Sequence, residues 1–225
     1  MKNLLFLAFL IGATSFSFGQ KKTGSLEAKL VYEIDYEELP EMLEPYRAML
    51  PKEIICYLKE SKMRMEQTAM GVATVNVTDS EKKTGFMLMD QFGTKTAYTL
   101  DENDLKEESQ NSSENYDINY TTETKEIAGY TCNKVIIKDK VEGTESYAYV
   151  TNEIKATNKN YAFLKGFALE YSVHTTNEMT IVMKVKTVEK MKVPKSFFEI
   201  PKDYEKKPMS DMKKEMEKMQ NDSKE

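Results

Sequence analysis

Leu26-Glu27-Ala28-Lys29-Leu30-Val31-Tyr32-Glu33-Ile34-Asp35 alternates apolar and charged side chains almost without a break. Strand side chains project to opposite faces with a period of two. Leu26, Ala28, Leu30, Tyr32 and Ile34 therefore share a dry face, and Glu27, Lys29, Glu33 and Asp35 a wet one. The same signature recurs downstream at 54–58, 63–67, 72–78, 84–89 and 94–100, then at 116–123, 131–139, 146–151, 166–175 and 179–189. Turn residues separate these runs: Asp79-Ser80-Glu81-Lys82, Gln91-Phe92-Gly93, Glu142-Gly143 and Thr176-Asn177. Such spacing predicts a mainly β protein, one continuous antiparallel sheet of about eleven strands.

Three stretches depart from the strand period. Met42, Leu43, Tyr46, Met49 and Leu50 recur at helical spacing, with Pro45 splitting the run into two short turns and Pro51 ending it. Residues 101–115 are acidic and rich in serine and asparagine, which predicts a solvated loop; 160–165 read as a short helical or irregular insert. Pro194-Lys195-Ser196-Phe197-Phe198-Glu199-Ile200-Pro201 reads as a turn docked on the sheet. Beyond it, 206–225 reads as a charged tail, helical or disordered, with Met209, Met212, Met216 and Met219 on one stripe.

The N-terminus carries its own message. Lys2 precedes the apolar run Leu4-Leu5-Phe6-Leu7-Ala8-Phe9-Leu10-Ile11, and Ser17 and Gly19 occupy the positions a signal peptidase reads. This is the pattern of a secretory signal peptide over 1–19, with a mature start at Gln20 and a β domain over 20–205. The run is too short to span a bilayer and no second long apolar stretch follows, so the expectation is a periplasmic or secreted protein with no stable membrane span. With a net charge of −5 and no basic stripe, nucleic acid is not an expected partner. Any protein partner is left unnamed by the sequence. Two cysteines in an exported chain, Cys56 and Cys132, permit a disulfide; two buried thiols are the alternative.

The search for chemistry returns little. His174 is the one histidine, and a single histidine does not make a zinc site. GxSxG, HExxH, GxxxxGK[ST] and GxGxxG are all missing from the sequence. The acidic pairs Glu37-Glu38, Glu107-Glu108 and Asp101/Asp104 read as charged loops. The expectation is a non-enzymatic protein with no cofactor, no catalytic residues and no dedicated metal site. Methionine is unusually plentiful, at 15 residues. Met63-Arg64-Met65, Met87-Leu88-Met89 and the tail stripe serve core packing first, adaptable ligand lining second and Cu(I) third.

Thr124-Lys125-Glu126-Ile127-Ala128-Gly129-Tyr130-Thr131-Cys132-Asn133-Lys134 and Phe197-Phe198-Glu199-Ile200-Pro201-Lys202-Asp203-Tyr204 resemble a domain-of-unknown-function family of exported proteins from Gram-negative bacteria. That family is similar to the outer-membrane lipoprotein carriers of the LolA/LolB type. The resemblance implies a half-open β-barrel whose concave face is covered by short helices and holds acyl chains. It brings no catalytic residues with it.

Together these readings favour an exported binding protein for a lipid or other hydrophobic ligand. Its expected lining is Leu30, Tyr32, Ile34, Met63, Met65, Val75, Val77, Tyr171, Ile181 and Met183, with Leu43, Tyr46 and Met49 as a lid. The alternative is an envelope structural or interaction module with a filled core and no small ligand. A third is Cu(I) handling through methionines.

Overall fold

A computed structural model describes residues 26–108, 113–156, 163–175 and 179–222. The expected signal peptide, residues 160–162 of the expected insert and the expected Thr176-Asn177 turn lie outside the described residues.

The strands are β1 (Ala28–Glu38), β2 (Glu53–Lys59), β3 (Lys62–Ala69), β4 (Val72–Asp79), β5 (Thr84–Gln91), β6 (Thr94–Leu100), β7 (Tyr116–Ile127), β8 (Tyr130–Asp139), β9 (Glu145–Thr151), β10 (Phe167–His174), β11 (Thr180–Lys190) and β12 (Glu205–Pro208). Among the described residues two α-helices, α1 (Glu102–Glu108) and α2 (Met209–Asp222), and three short 3-10 turns at Glu44–Met49, Ser113–Asn115 and Lys195–Phe198 accompany them. All twelve strands form one unclosed sheet in the order β12-β6-β5-β4-β3-β2-β1-β11-β10-β9-β8-β7. Every pairing is antiparallel except β12 on β6. The expected architecture, a mainly β half-barrel with short helices, is what the chain adopts.

Register divides the sheet into an inner and an outer face. Leu30 pairs with Cys56, which pairs with Met65; on the other side Ile34 pairs with Met183, which pairs with Tyr171. A flat single-layer sheet would leave both faces wet. Here one buried cluster joins inner-face residues from β1–β3 with others from β8–β11, which requires the sheet to curl around them.

Other segments cover the rest of that face. Ile154 and Leu164 enter the main cluster beside β7 and β8, where Phe163 stacks on Tyr116 with ring centroids 4.9 Å apart. At the opposite flank Met87, Tyr98 and Leu100 are buried under Leu105 of α1 and Met209 of α2. The acidic stretch after Leu100 is thus a helix at its start, where a loop was expected. Asp101 Oδ1 accepts the backbone N–H groups of Asn103 and Asp104, an N-cap, and Leu105 anchors the turn.

The outer face carries a strap. After β11, Lys59 Nζ donates to the Val193 carbonyl at 2.7 Å, and Arg64 Nη1 donates to the Phe197 carbonyl at 2.7 Å. The Phe197 ring meets Tyr57 edge-on at 4.9 Å, and Lys95 pairs with Asp203 at 2.7 Å. The chain then runs beside β6 as β12 and turns onto the inner face as α2. Its last thirty described residues wrap the β6 edge from one face to the other, shielding a strand edge that would otherwise be open to pairing.

Val75 and Val77 must be reassigned. They pair with Glu66 and Arg64, whereas Met65 and Met63 pair with Asn76 and Thr78. Both valines therefore lie on the outer face, and the cover there removes the polar contrast that would have revealed it.

Candidate functional site

The expected lining residues of the inner face are Leu30, Tyr32, Ile34, Met65, Tyr171, Ile181 and Met183. All are 9 % exposed or less and belong to one core cluster, with Met63 packed at its margin. The Tyr32 ring meets Tyr171 edge-on at 6.3 Å, and the Tyr171 hydroxyl donates to Met183 Sδ at 3.1 Å. Burial raises the Tyr32 phenol well above its ordinary range, with the neighbouring Cys56 and Tyr171 adding to it. These groups are buried against one another in a single cluster.

The expected lid caps one end of the sheet. Leu43 is buried and Tyr46 half-buried, but Met49 is 50 % exposed and no residue of Glu44–Met49 is fully buried. Arg47 Nη1 donates to the Tyr36 carbonyl at 3.1 Å and the Met70 N–H donates to the Met49 carbonyl at 3.2 Å, fixing the segment to the rim.

Cys56 and Cys132 are buried thiols and form no disulfide. The reason is topological: β1, β11, β10 and β9 stand between β2 and β8, and a bridge needs Cα atoms about 4.4–6.8 Å apart. Burial pushes the Cys132 thiol up to about 11, with nearby Glu126, Glu153 and Glu170 adding to it.

A polar array occupies the outer face of β7–β10. Glu170, with its side chain 6 % exposed, accepts two 2.8 Å hydrogen bonds from Lys125 Nζ. Tyr149 donates to Glu123 Oε1 at 2.5 Å, and Lys134 pairs with the same carboxylate at 3.1 Å. The Glu123 bond raises Tyr149 to about 12, while desolvation, with Glu170 close by, raises Tyr147 to about 12. The array is internally satisfied.

His174 is exposed at the end of β10, its Nδ1 3.0 Å from Thr180 Oγ1 and its Nε2 2.8 Å from the Glu145 carbonyl. Among the described residues no group of three or more His, Cys, Asp and Glu is placed to hold a metal ion. Met87, Met89, Met209 and Met212 gather in the smaller cluster under α2, joining one methionine pair to the start of the tail stripe.

One feature went unread in the sequence. Among the described residues, Met42, Met49, Phe92 and Val141 are large, apolar and well exposed, and all four sit in connections at the same end of the sheet. Phe92 is 81 % exposed at the tip of the β5–β6 hairpin. The Phe92-Gly93 signal was legible as a turn, but not what its ring faces.

No curated protein matches the chain. The family model described as "Domain of unknown function (DUF4412)" matches residues 43–159 and 146–204. Among solved structures, PNGF-II in its C2 crystal form is 15% identical with a TM-score of 0.53, covering 87% of this chain and 33% of that one. The P21 form of PNGF-II gives 15% identity and a TM-score of 0.54, covering 87% and 34%. The chain thus spans about a third of the length of the PNGF-II chains, and at this identity the likeness shows the fold alone. A LolA superfamily protein from Nitrosomonas europaea is 7% identical, covering 86% of this chain and 96% of its own, at a TM-score of 0.23. Superposition at that level carries no argument.

Proposed function

The chain belongs to the family described as Domain of unknown function (DUF4412), a membership that brings no activity with it, and we propose that the protein is an exported, non-enzymatic interaction module of the cell envelope. In this proposal the hollow is a packed core and binding takes place on the surface. The Tyr32–Tyr171–Met183 contacts support the reading, because expected lining residues are spent on one another.

Magnitudes favour a filled core over a lipid groove. A sixteen-carbon acyl chain gains about 10 kcal/mol from burial before ordering costs. Displacing a buried Leu, Ile, Met or Tyr forfeits about 1.5–3 kcal/mol, so moving four or five such side chains cancels the gain. Titration with a fluorescent fatty acid tests the point. The expected result is no saturable signal. Saturable uptake that is lost on substituting Tyr32 or Tyr171 would restore the lipid-carrier reading.

A second reading, soft-cation handling, draws on the four thioethers gathered as Met87, Met89, Met209 and Met212. Its test is competition for Cu(I) against a chromophoric chelator, comparing the protein with a variant bearing leucine at all four positions. Leucine keeps the volume and removes the sulfur.

A further inference from the structure

We propose that Met89 of β5 and Met212 of α2 are sulfoxidation sites, where a peroxide converts the thioether to the sulfoxide and releases α2 from the sheet. The inference goes beyond the filled-core reading and stands whether or not the hollow takes a ligand.

The first observation is what α2 is made of. Between Met209 and Asp222 the apolar residues are Met209, Met212, Met216 and Met219. Leucine forms helix as well as methionine does and fills a similar volume, so neither property selects a face of thioethers alone. What methionine adds is a soft, oxidisable sulfur. The receiving wall is built the same way. Met87 and Met89 occupy alternate positions of β5 and share its inner face, beside Tyr98, Leu100 and Leu105.

The second observation is how the sulfur-bearing side chains are shielded. Met87 and Met209 are buried, whereas Met89 and Met212 are half-buried and pack against the cluster from its margin. An oxidant arriving from solvent therefore meets Met89 and Met212 while α2 is still docked. Met87 and Met209 become open to it only after release.

The third observation is what else holds the helix. Lys213 pairs with Asp104 at 3.3 Å and Lys207 with Glu215 at 3.8 Å, and the Tyr98 hydroxyl donates to Glu215 at 3.4 Å. The side chains of Lys213 and Glu215 are 43 % and 51 % exposed, and ion pairs this open to water hold little. Docking rests on apolar contact, which is what a sulfoxide removes.

The chemistry needs one peroxide per sulfur. The sulfur lone pair attacks a peroxide oxygen, and the S–O bond forms as the O–O bond breaks. The departing hydroxide takes the proton left on the new oxygen and leaves as water. Sulfur gives up two electrons and the peroxide accepts them. A polar acceptor then stands where an apolar contact was, and keeping it buried without a donor is unfavourable. Because α2 is the last element of the described chain, it opens locally while the sheet holds. Reduction by two thiols, which become a disulfide as the oxygen leaves as water, restores the thioether and the docked helix.

The test treats the protein with hydrogen peroxide in the presence of a metal chelator, which keeps Cu(I) handling out of the measurement. Peptide mapping follows each sulfoxide, with Met42, 64 % exposed, as the reference for free access. Trypsin cleavage after Lys213 and Lys214 reports release of α2. Protection of Cys56 and Cys132 from an aromatic disulfide reagent reports an intact main core. The expected order of oxidation is Met42, then Met89 and Met212, then Met87 and Met209. Cleavage should rise about tenfold as Met89 and Met212 convert, with both thiols still protected. M89L/M212L should stay slowly cleaved at the same peroxide dose, and M89Q/M212Q should be cleaved fast with no peroxide. Unchanged cleavage once Met89 and Met212 are sulfoxides overturns the proposal, as does their survival as thioethers after Met42 is fully converted. Equal peroxide-driven cleavage of M89L/M212L, or slow cleavage of M89Q/M212Q, does the same. Thiols that become reactive in step with cleavage would mean the whole fold opens, which contradicts a local release.

Discussion

Tyr32 on β1 and Tyr171 on β10 meet edge-on across β11, ring centroids 6.3 Å apart and planes at 69°. The pair sits in the middle of the curled face and shows why the sheet needs no second layer. Replacing Tyr32 by alanine removes a ring from a close-packed site and leaves a void. The expected cost is about 3–5 kcal/mol, measured by urea unfolding. A loss below about 1 kcal/mol would mean the inner face is loosely filled.

The tail is a structural element in this fold. Met209 is buried against Met87 and Tyr98, with Met212 beside them. Ending the chain after Pro208 uncovers that apolar surface. The expected stability loss is at most about 3–6 kcal/mol, from two methionine side chains at about 1.5–3 kcal/mol each, with Met212 only half-buried. An apolar fluorescent dye should bind the truncated protein and not the full one. Unchanged unfolding and no dye binding would show that α2 does not dock.

Alkaline pH should weaken the fold through its tyrosines. Tyr147 and Tyr149 are both raised to about 12 from an ordinary 10.0, so the folded state holds the proton more tightly. Their contribution is therefore fully present below about pH 10 and is lost as pH rises from 10 to 12. Absorbance titration at the phenolate band should show a late-titrating group of tyrosines that includes Tyr147 and Tyr149, with the more deeply buried Tyr32 and Tyr36 later still. Glu123→Gln should return one of them toward 10, because the bond to Glu123 is the first cause of the Tyr149 shift.

Thiol chemistry gives a separate check. With Cys132 raised to about 11 by burial and Cys56 buried in β2, neither should react with an aromatic disulfide reagent at pH 8 in the folded state. Both should react on unfolding, and dithiothreitol should leave the melting midpoint unchanged. A drop in the midpoint on reduction would reveal a bridge.

How much of this was legible in the chain depends on local contrast. β1 could be read residue by residue because its outer positions are charged, and the hairpins at Phe92-Gly93 and Glu142-Gly143 because turns have their own residue code. β4 could not. Val72, Val75 and Val77 are apolar on both faces, since the strap around Phe197 to Tyr204 covers the outer side. β12 was invisible because Glu205-Lys206-Lys207-Pro208 has no apolar pattern; tethers made earlier along the strap lay it beside β6. α1 was passed over for its acidity, although Asp101 as cap and Leu105 as anchor were both in view. The lining residues were chosen by alternation, which tells which face a side chain takes but not whether the opposite wall already touches it.

The sharpest check on the filled hollow is the native mass of the protein isolated from its own cells without detergent. The expected spectrum holds the bare polypeptide, and organic extraction yields no stoichiometric lipid. A uniform added mass that extraction identifies as an acyl lipid, and that fails to reappear with Tyr32→Ala, would contradict it.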